Sequence, residues 1–172
     1  EEDSRAVFQA GNAAFHRNWP YVWSLANKDD SAIKGKFGMT LIPGGEEGQT
    51  AATLGGLQLA VSKYSEHPKE AADVALYFAG REFQKAQLIR TTTPPSIIDL
   101  YDDPDVLEVL PFAATLKSVL LQAVARPSTA SASHYSDLSR FFFNAVYDVL
   151  THKKDADIAL EELEIDLQDL LE

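Results

Sequence analysis

Two short strand-like runs in an otherwise helical sequence constrain the fold more than any other feature. Residues 36–42 are mostly apolar and end at Pro43-Gly44-Gly45, and residues 57–62 alternate as a strand does. The stretch from Pro43 to Thr53 between them is rich in Gly and polar residues and is expected to be a mobile loop. Since two strands do not form a stable open sheet alone, their pairing partners must come from elsewhere. We therefore predict part of a larger α/β fold, mostly helical with few strands.

Helices are predicted from apolar residues three or four positions apart and from their start signals. Pro68 is expected at the first position of one helix, which would stop at Gly80. Pro20 is expected to open another helix and to leave Trp19 at its mouth. The remaining predicted helices cover residues 3–16, 81–89, 111–124, 135–151 and 155–171.

The composition excludes several classes of function. The 172 residues, enough for one domain or parts of two, carry a net charge of −11, which would repel nucleic acid and anionic membranes. The absence of cysteine excludes disulfides, thiol nucleophiles and cysteine metal sites. The four histidines include no i, i+4 pair, so we expect no metal site. Asp102-Asp103-Pro104 matches a helix cap followed by proline better than a catalytic carboxylate pair.

Five segments occur in an order that is specific as a set, although each is weak alone. They are GNAAFHRNWPYVW, GKFGMTLIPGGEEGQTAATLGG, SKYSEHPKEAADVALYFAG, LYDDPDVL and RPSTASASHYSDLS. This order resembles the family 1 extracellular solute-binding proteins, a group that contains the maltose-binding and trehalose/maltose-binding proteins. The asparagine in NWPY favours the trehalose/maltose branch.

The resemblance implies a periplasmic-binding-protein-like type II fold, in which two lobes close over a sugar. A ligand that contacts both lobes only in the closed form shifts the hinge equilibrium toward closure. This chain would be the C-terminal portion of such a fold. Residues 1–42 and 94–172 would belong to the second lobe, and residues 43–93 would return to the first. The N-terminal half of the same protein would then supply the rest of the cleft.

The resemblance also assigns ligand-binding roles to the NWPY segment. Flat aromatic rings bury the C–H faces of a sugar, and planar polar groups bind its hydroxyls. Trp19 and Tyr21 would stack on the ligand and hydrogen-bond to it, although both could equally be core residues on the sequence alone. Asn18 would bind a hydroxyl or cap the following helix. Trp23 is expected in the core.

Three further segments are implicated by the resemblance. Gly55 and Gly56 match a glycine pair where the backbone approaches the ligand, or they form a strand-entry turn. Where the family has a tryptophan after that pair, this chain has Leu57, which removes an aromatic platform and leaves the ligand's identity open. Arg126 would bind neighbouring hydroxyls with its rigid fork of donors. Tyr135 would line the same rim or begin the apolar face of the next helix.

The resemblance implies a carrier that performs no catalysis and needs no cofactor. It would bind a di- or oligosaccharide such as trehalose or maltose and deliver it to the permease subunits of an ABC importer. We expect a periplasmic or cell-surface location, with or without a lipid anchor; because the sequence opens with Glu1 rather than Met, any export signal is expected upstream. The alternatives are a carrier of another solute such as a polyol, an acidic helical interaction module, and a glycoside-cleaving enzyme.

Overall fold

A computed structural model describes residues 1–45 and 50–171 of the chain. Residues 46–49 of the predicted mobile loop lie outside the described residues. The described part is mostly helical, as predicted. Its α-helices are α1 (Glu2–Gln9), α2 (Val22–Ala26), α3 (Pro68–Ala79), α4 (Arg81–Thr91), α5 (Pro104–Val109), α6 (Ala113–Leu121), α7 (Ser128–Ser131), α8 (Tyr135–Leu150) and α9 (Ala156–Leu171). Two 3-10 helices cover Ile98–Asp102 and Ala132–His134.

Neither predicted strand is part of a sheet, so the prediction of strands at residues 36–42 and 57–62 is wrong for the described chain. The β pairing within residues 1–45 and 50–171 is a single parallel bridge between Thr53 and Val124. A strand needs a neighbour that takes up its backbone N–H and C=O groups. No described segment pairs with either run, so neither forms a strand, and Leu57 is 97% exposed.

The start signals locate several helices correctly. Pro68 is the first residue of α3, which ends before Gly80. Asp103 caps α5 by accepting a hydrogen bond from the backbone N–H of Asp105 at 3.0 Å, so the cap interpretation of the acidic pair is confirmed. The predicted helix over residues 3–16 is too long: α1 ends at Gln9, because Gly11 adopts φ +81°, a backbone conformation that terminates helices.

The described residues fall into two compact units, Glu1–Val124 and Ala125–Glu172. The core of the first unit is built around α4, α5, α6 and the 3-10 helix Ile98–Asp102. Trp23 packs against this core as predicted, with its ring centroid 4.3 Å from that of Phe112. The buried residues that form one cluster in this core are Leu88, Tyr101, Val106, Leu110, Ala113 and Leu116.

Tyr101 and Thr92 make two of the polar contacts within this first unit. The buried Tyr101 donates its phenol hydrogen to the carbonyl oxygen of Pro95 at 3.1 Å, and burial raises the pKa of Tyr101 to about 12. The hydroxyls of Ser24 and Thr92 lie 2.6 Å apart and tie α2 to the end of α4. Thr92 has a left-handed backbone, φ +52°, at that helix end.

The second unit is dominated by the helical pair α8 and α9. Ala159 and Leu163 of α9 are buried, as the apolar stripe of this helix predicts. Phe142 and Phe143 are exposed on α8, since three consecutive residues of a helix cannot all face one core. The residues that line an open apolar groove on α9 are Leu160, Leu163, Glu164, Leu167, Gln168 and Leu171.

The three-segment division into lobes stays a prediction. It assigns Leu88 of α4 to the first lobe and Tyr101 and Val106 to the second. In the described chain these three side chains share one core cluster.

Candidate functional site

Trp19 and Gly55, two of the candidate ligand-binding residues, lie against each other. A Cβ atom built on Gly55 would fall 2.6 Å from Cη2 of Trp19 and 3.2 Å from its Cζ3. The absence of a side chain at Gly55 therefore lets the six-membered part of the indole approach the backbone. Trp19 remains 44% exposed, so its ring offers an accessible apolar surface. This placement brings together two segments that lie 36 positions apart in the sequence.

Backbone hydrogen bonds attach the segment that carries Gly55 to the rest of the first unit. They involve the residues just before Gly55. The N–H of Leu54 donates to the carbonyl of Val124 at 2.8 Å, and the N–H of Val124 donates to the carbonyl of Ala52 at 2.8 Å. These two bonds form the isolated parallel bridge at Thr53. The bridge therefore anchors the chain two residues before Gly55 and supports the backbone on which Trp19 rests.

The indole N–H of Trp19 and the phenol of Tyr21 both donate hydrogen bonds to carboxylates at the start of α1. Trp19 Nε1 donates to a carboxylate oxygen of Glu1 at 2.9 Å, and Tyr21 Oη donates to Glu2 Oε1 at 2.9 Å. Arg5 in turn donates from Nε to Glu2 Oε2 at 2.9 Å. The hydrogen bond to Glu2 raises the pKa of Tyr21, and the hydrogen bond from Arg5, followed by that from Tyr21, lowers the pKa of Glu2.

Asn18 and His16 form a second polar cluster beside Trp19. Asn18 Oδ1 accepts a hydrogen bond from the backbone N–H of Trp19 at 2.7 Å, which directs its amide Nδ2 toward His16 Nε2 at 3.2 Å. The His16 ring stacks on Phe8 with a centroid distance of 5.0 Å. Burial, followed by the charge of Arg5, lowers the pKa of His16 and favours its neutral form. Asn18 thus contacts the backbone of Trp19 within the described structure.

The other two residues of the 55–57 segment differ from Gly55. A Cβ on Gly56 would meet open space, so the structure gives no steric reason for glycine there. The side chain of Leu57 is almost completely exposed and extends the apolar surface of this segment into solvent. Both residues therefore remain predicted ligand contacts on the strength of the sequence resemblance.

Arg126 and Tyr135 belong to the second unit. Arg126 is exposed and precedes α7, and its carbonyl accepts a hydrogen bond from the N–H of Ser128 at 2.8 Å. Tyr135 is the first residue of α8 and is half-buried, a position that suits its alternative role at the start of the helix's apolar face. The ligand-binding roles of Arg126 and Tyr135 remain predictions.

The arrangement in the first unit suits recognition of a neutral polyhydroxy ligand. It combines an accessible indole surface with carboxylate, guanidinium and phenol groups that exchange hydrogen bonds. Across residues 1–45 and 50–171, no group of three or more His, Asp or Glu side chains is arranged to hold a metal ion. None of the helices that the structure describes is both long and apolar enough to span a bilayer.

Sequence reasoning missed Glu1, Glu2 and Arg5 as partners of the candidate site. The acidic residues of the run EEDSR are typical of a helix start. Nothing in this pattern indicates that two of them also contact Trp19 and Tyr21. The i, i+3 spacing of Glu2 and Arg5 indicates that they pair, but their contact with Tyr21 depends on how α1 folds back toward α2.

Three matches from the comparison with known proteins agree with one another. Residues 1–85 match the family model described as bacterial extracellular solute-binding protein. A probable ABC transporter-binding protein of Deinococcus radiodurans is 48% identical over 164 residues, which is 95% of this chain. The solved structure of maltose-bound T. maritima MalE3 superposes with a TM-score of 0.90 and 36% identity over 99% of the chain.

The chain spans less than half the length of these two relatives. The matched region is 39% of the Deinococcus radiodurans protein and 44% of the MalE3 chain. This agrees with the prediction that the chain corresponds to one portion of a larger two-lobe fold.

Proposed function

Since the chain belongs to the bacterial extracellular solute-binding proteins, we propose that it is the C-terminal portion of the sugar-binding component of an ABC importer. The component binds its ligand reversibly and does not transform it. The family to which the chain belongs consists of carriers, and no residue of the candidate site is assigned a catalytic role.

The contact between Trp19 and Gly55 is the observation that carries this proposal. It presents an indole, half accessible to solvent, near the phenol of Tyr21, which Glu2 orients through a hydrogen bond, and near the carboxylate of Glu1. A sugar ring has apolar C–H faces and a rim of hydroxyls, so both parts of this surface have a counterpart on the ligand. Asn18, Gly56 and Leu57 complete the proposed surface in the first unit. Arg126 and Tyr135 are proposed as further ligand-binding residues on the strength of the sequence resemblance.

The proposed mechanism is hinge closure. A ligand held first by one lobe gains contacts with the other only when the cleft closes, so its binding energy shifts the population toward the closed form. The N-terminal half of the same protein is proposed to supply the opposing surface. The closed, loaded form would then deliver the sugar to the permease subunits, outside the cytoplasmic membrane in the periplasm or at the cell surface.

The proposed ligand is a di- or oligosaccharide with α-linked glucose, such as maltose or trehalose. The maltose-bound MalE3 structure supports this choice, as does the NWPY segment. Leu57 favours a second candidate, a polyol or a sugar of another kind, because an aliphatic side chain gives a stacked ring less surface than an indole would.

Calorimetric titration of the full-length protein, which includes the N-terminal half, with maltose, trehalose, sucrose and a polyol tests the proposal and identifies the ligand class. We expect one of the sugars to bind with micromolar or tighter affinity and to be recovered unchanged. Trp19→Ala should abolish binding. Trp23→Phe, which changes an aromatic in the core, is the matched control and should retain it. Consumption of the sugar would indicate an enzyme instead, and a folded protein that binds none of the four compounds would contradict the sugar-carrier function.

A further inference from the structure

One carboxylate on α1 connects Arg5 with the phenol of Tyr21. Glu2 Oε1 accepts the hydrogen bond of Tyr21 Oη at 2.9 Å, and Glu2 Oε2 accepts from Arg5 Nε at 2.9 Å. A second nitrogen of the Arg5 guanidinium also donates to Oε2. Each oxygen of this carboxylate therefore has its own partner.

The direction of the hydrogen bond between Tyr21 and Glu2 follows from the charge of Glu2. The Arg5 hydrogen bonds lower the pKa of Glu2, so its carboxylate is ionised at neutral pH and has no hydrogen to donate. Tyr21 must be the donor. Its single hydroxyl hydrogen is consequently committed to Glu2, and only the lone pairs of its oxygen remain for another partner.

We propose that Glu2 is a positioning residue of the ligand site, which makes Tyr21 a hydrogen-bond acceptor and so selects a ligand group that donates a hydrogen. The inference rests on the proposed function and specifies the chemistry of one contact within it. A free hydroxyl satisfies Tyr21, whereas an ether oxygen or a fluorine at the same place brings two acceptors together. Glu2 acts through Tyr21 and does not itself touch the ligand.

Monodeoxyfluoro derivatives of maltose test this selection, because fluorine replaces a hydroxyl at similar size but cannot donate. The full-length wild-type protein is to be titrated with maltose and with each derivative, and the series repeated with Glu2→Ala and Glu2→Gln in the same full-length protein. In the wild type, at least one derivative should bind about tenfold more weakly than maltose. In Glu2→Ala the phenol hydrogen is free to turn toward the ligand, so this loss should shrink to about threefold or less.

Glu2→Gln preserves the shape of the side chain and offers an amide hydrogen to Tyr21. It should therefore release the phenol hydrogen and reduce the discrimination as Glu2→Ala does. Asp3→Ala is the matched control, since Asp3 is an exposed acid on the same turn of α1, and it should keep the full discrimination. Tyr21→Phe should remove the discrimination whether or not Glu2 is present.

A spectrophotometric titration checks the contact without any ligand. The absorbance of the Tyr21 phenolate, isolated by difference from Tyr21→Phe, should appear at lower pH in Glu2→Ala than in the wild type, and Asp3→Ala should leave it unchanged. An unchanged phenol pKa in Glu2→Ala overturns the inference. So does undiminished discrimination in both Glu2 variants of a protein that binds maltose normally. A wild type that binds no sugar overturns the proposed function itself, and the inference with it.

Discussion

The helical core of the first unit and its non-helical segments differ in how their backbone N–H and C=O groups find hydrogen-bond partners. Residues 81–121 are largely helical and bury side chains such as Leu88 and Val106 completely. The extended runs at residues 36–42 and 57–62 are unpaired in the described chain, and side chains such as Leu57 and Leu59 are exposed. A helix satisfies its hydrogen bonds within one segment, whereas a strand depends on a neighbour. The helices can therefore be stabilised within this chain, and the extended runs require a partner.

Truncating one leucine in each region gives the largest expected difference. Leu88→Ala leaves a cavity in the core and should lower the free energy of unfolding by about 2–5 kcal/mol. Leu57→Ala removes a solvated side chain and should change it by less than about 0.5 kcal/mol. Denaturant unfolding monitored by circular dichroism measures both. Equal effects would mean that residue 57 is covered and would contradict the comparison.

The glycine pair of the extended segment provides a sharper test at the candidate site. The methyl of Gly55→Ala would overlap the Trp19 ring, which can swing away because it is the end of an exposed side chain. We therefore expect a loss of stability below about 1 kcal/mol but maltose binding weakened about tenfold or more. Gly56→Ala meets open space and should change affinity far less. Calorimetry measures the maltose affinity of both variants. Equal affinities would show that the placement of Trp19 against Gly55 does not affect maltose binding.

The buried Tyr101 should make the core sensitive to alkali. Burial raises its pKa from the ordinary value near 10 to about 12, so its neutral phenol stabilises the folded state fully below pH 10. This contribution is lost as the pH rises toward 12. In Tyr101→Phe the fall in unfolding free energy between pH 9.5 and 11.5 should be smaller than in the wild type. Parallel pH profiles for the two proteins would argue against burial of the phenol.

The smallest effect is expected beside Trp19. The pKa of His16 is lowered by burial and then by the charge of Arg5, so the unfolded chain takes up a proton there before the folded one. The stabilisation is present above about pH 6.5 and is lost as the pH falls below that value. Unfolding measured at pH 7.5 and 5.5 should show a smaller difference in His16→Gln than in the wild type. An unchanged difference would place the pH sensitivity at another group.

Structural features that depend on residues close together in the chain could be predicted from the sequence. Pro68 and Gly80 bound α3, Asp103 caps α5, and Trp23 packs on the core, all as expected. The strands were wrong because a strand pattern does not reveal whether a pairing partner is present. The contacts of Glu1 with Trp19 and of Glu2 with Tyr21 were missed because they join residues 18 and 19 positions apart, and local periodicity carries no information about such distances.

The most direct test of the proposed function observes Trp19 itself during ligand binding. A full-length variant in which Trp23 and any tryptophan outside this chain are replaced by phenylalanine keeps Trp19 as its one tryptophan, since the chain itself has two. Maltose should change the fluorescence of this variant saturably and shield it from a soluble quencher, with the affinity that calorimetry gives for the wild type. Calorimetric binding of maltose with no change in either the fluorescence or the quenching of Trp19 would contradict the account, because the sugar would then bind away from this ring.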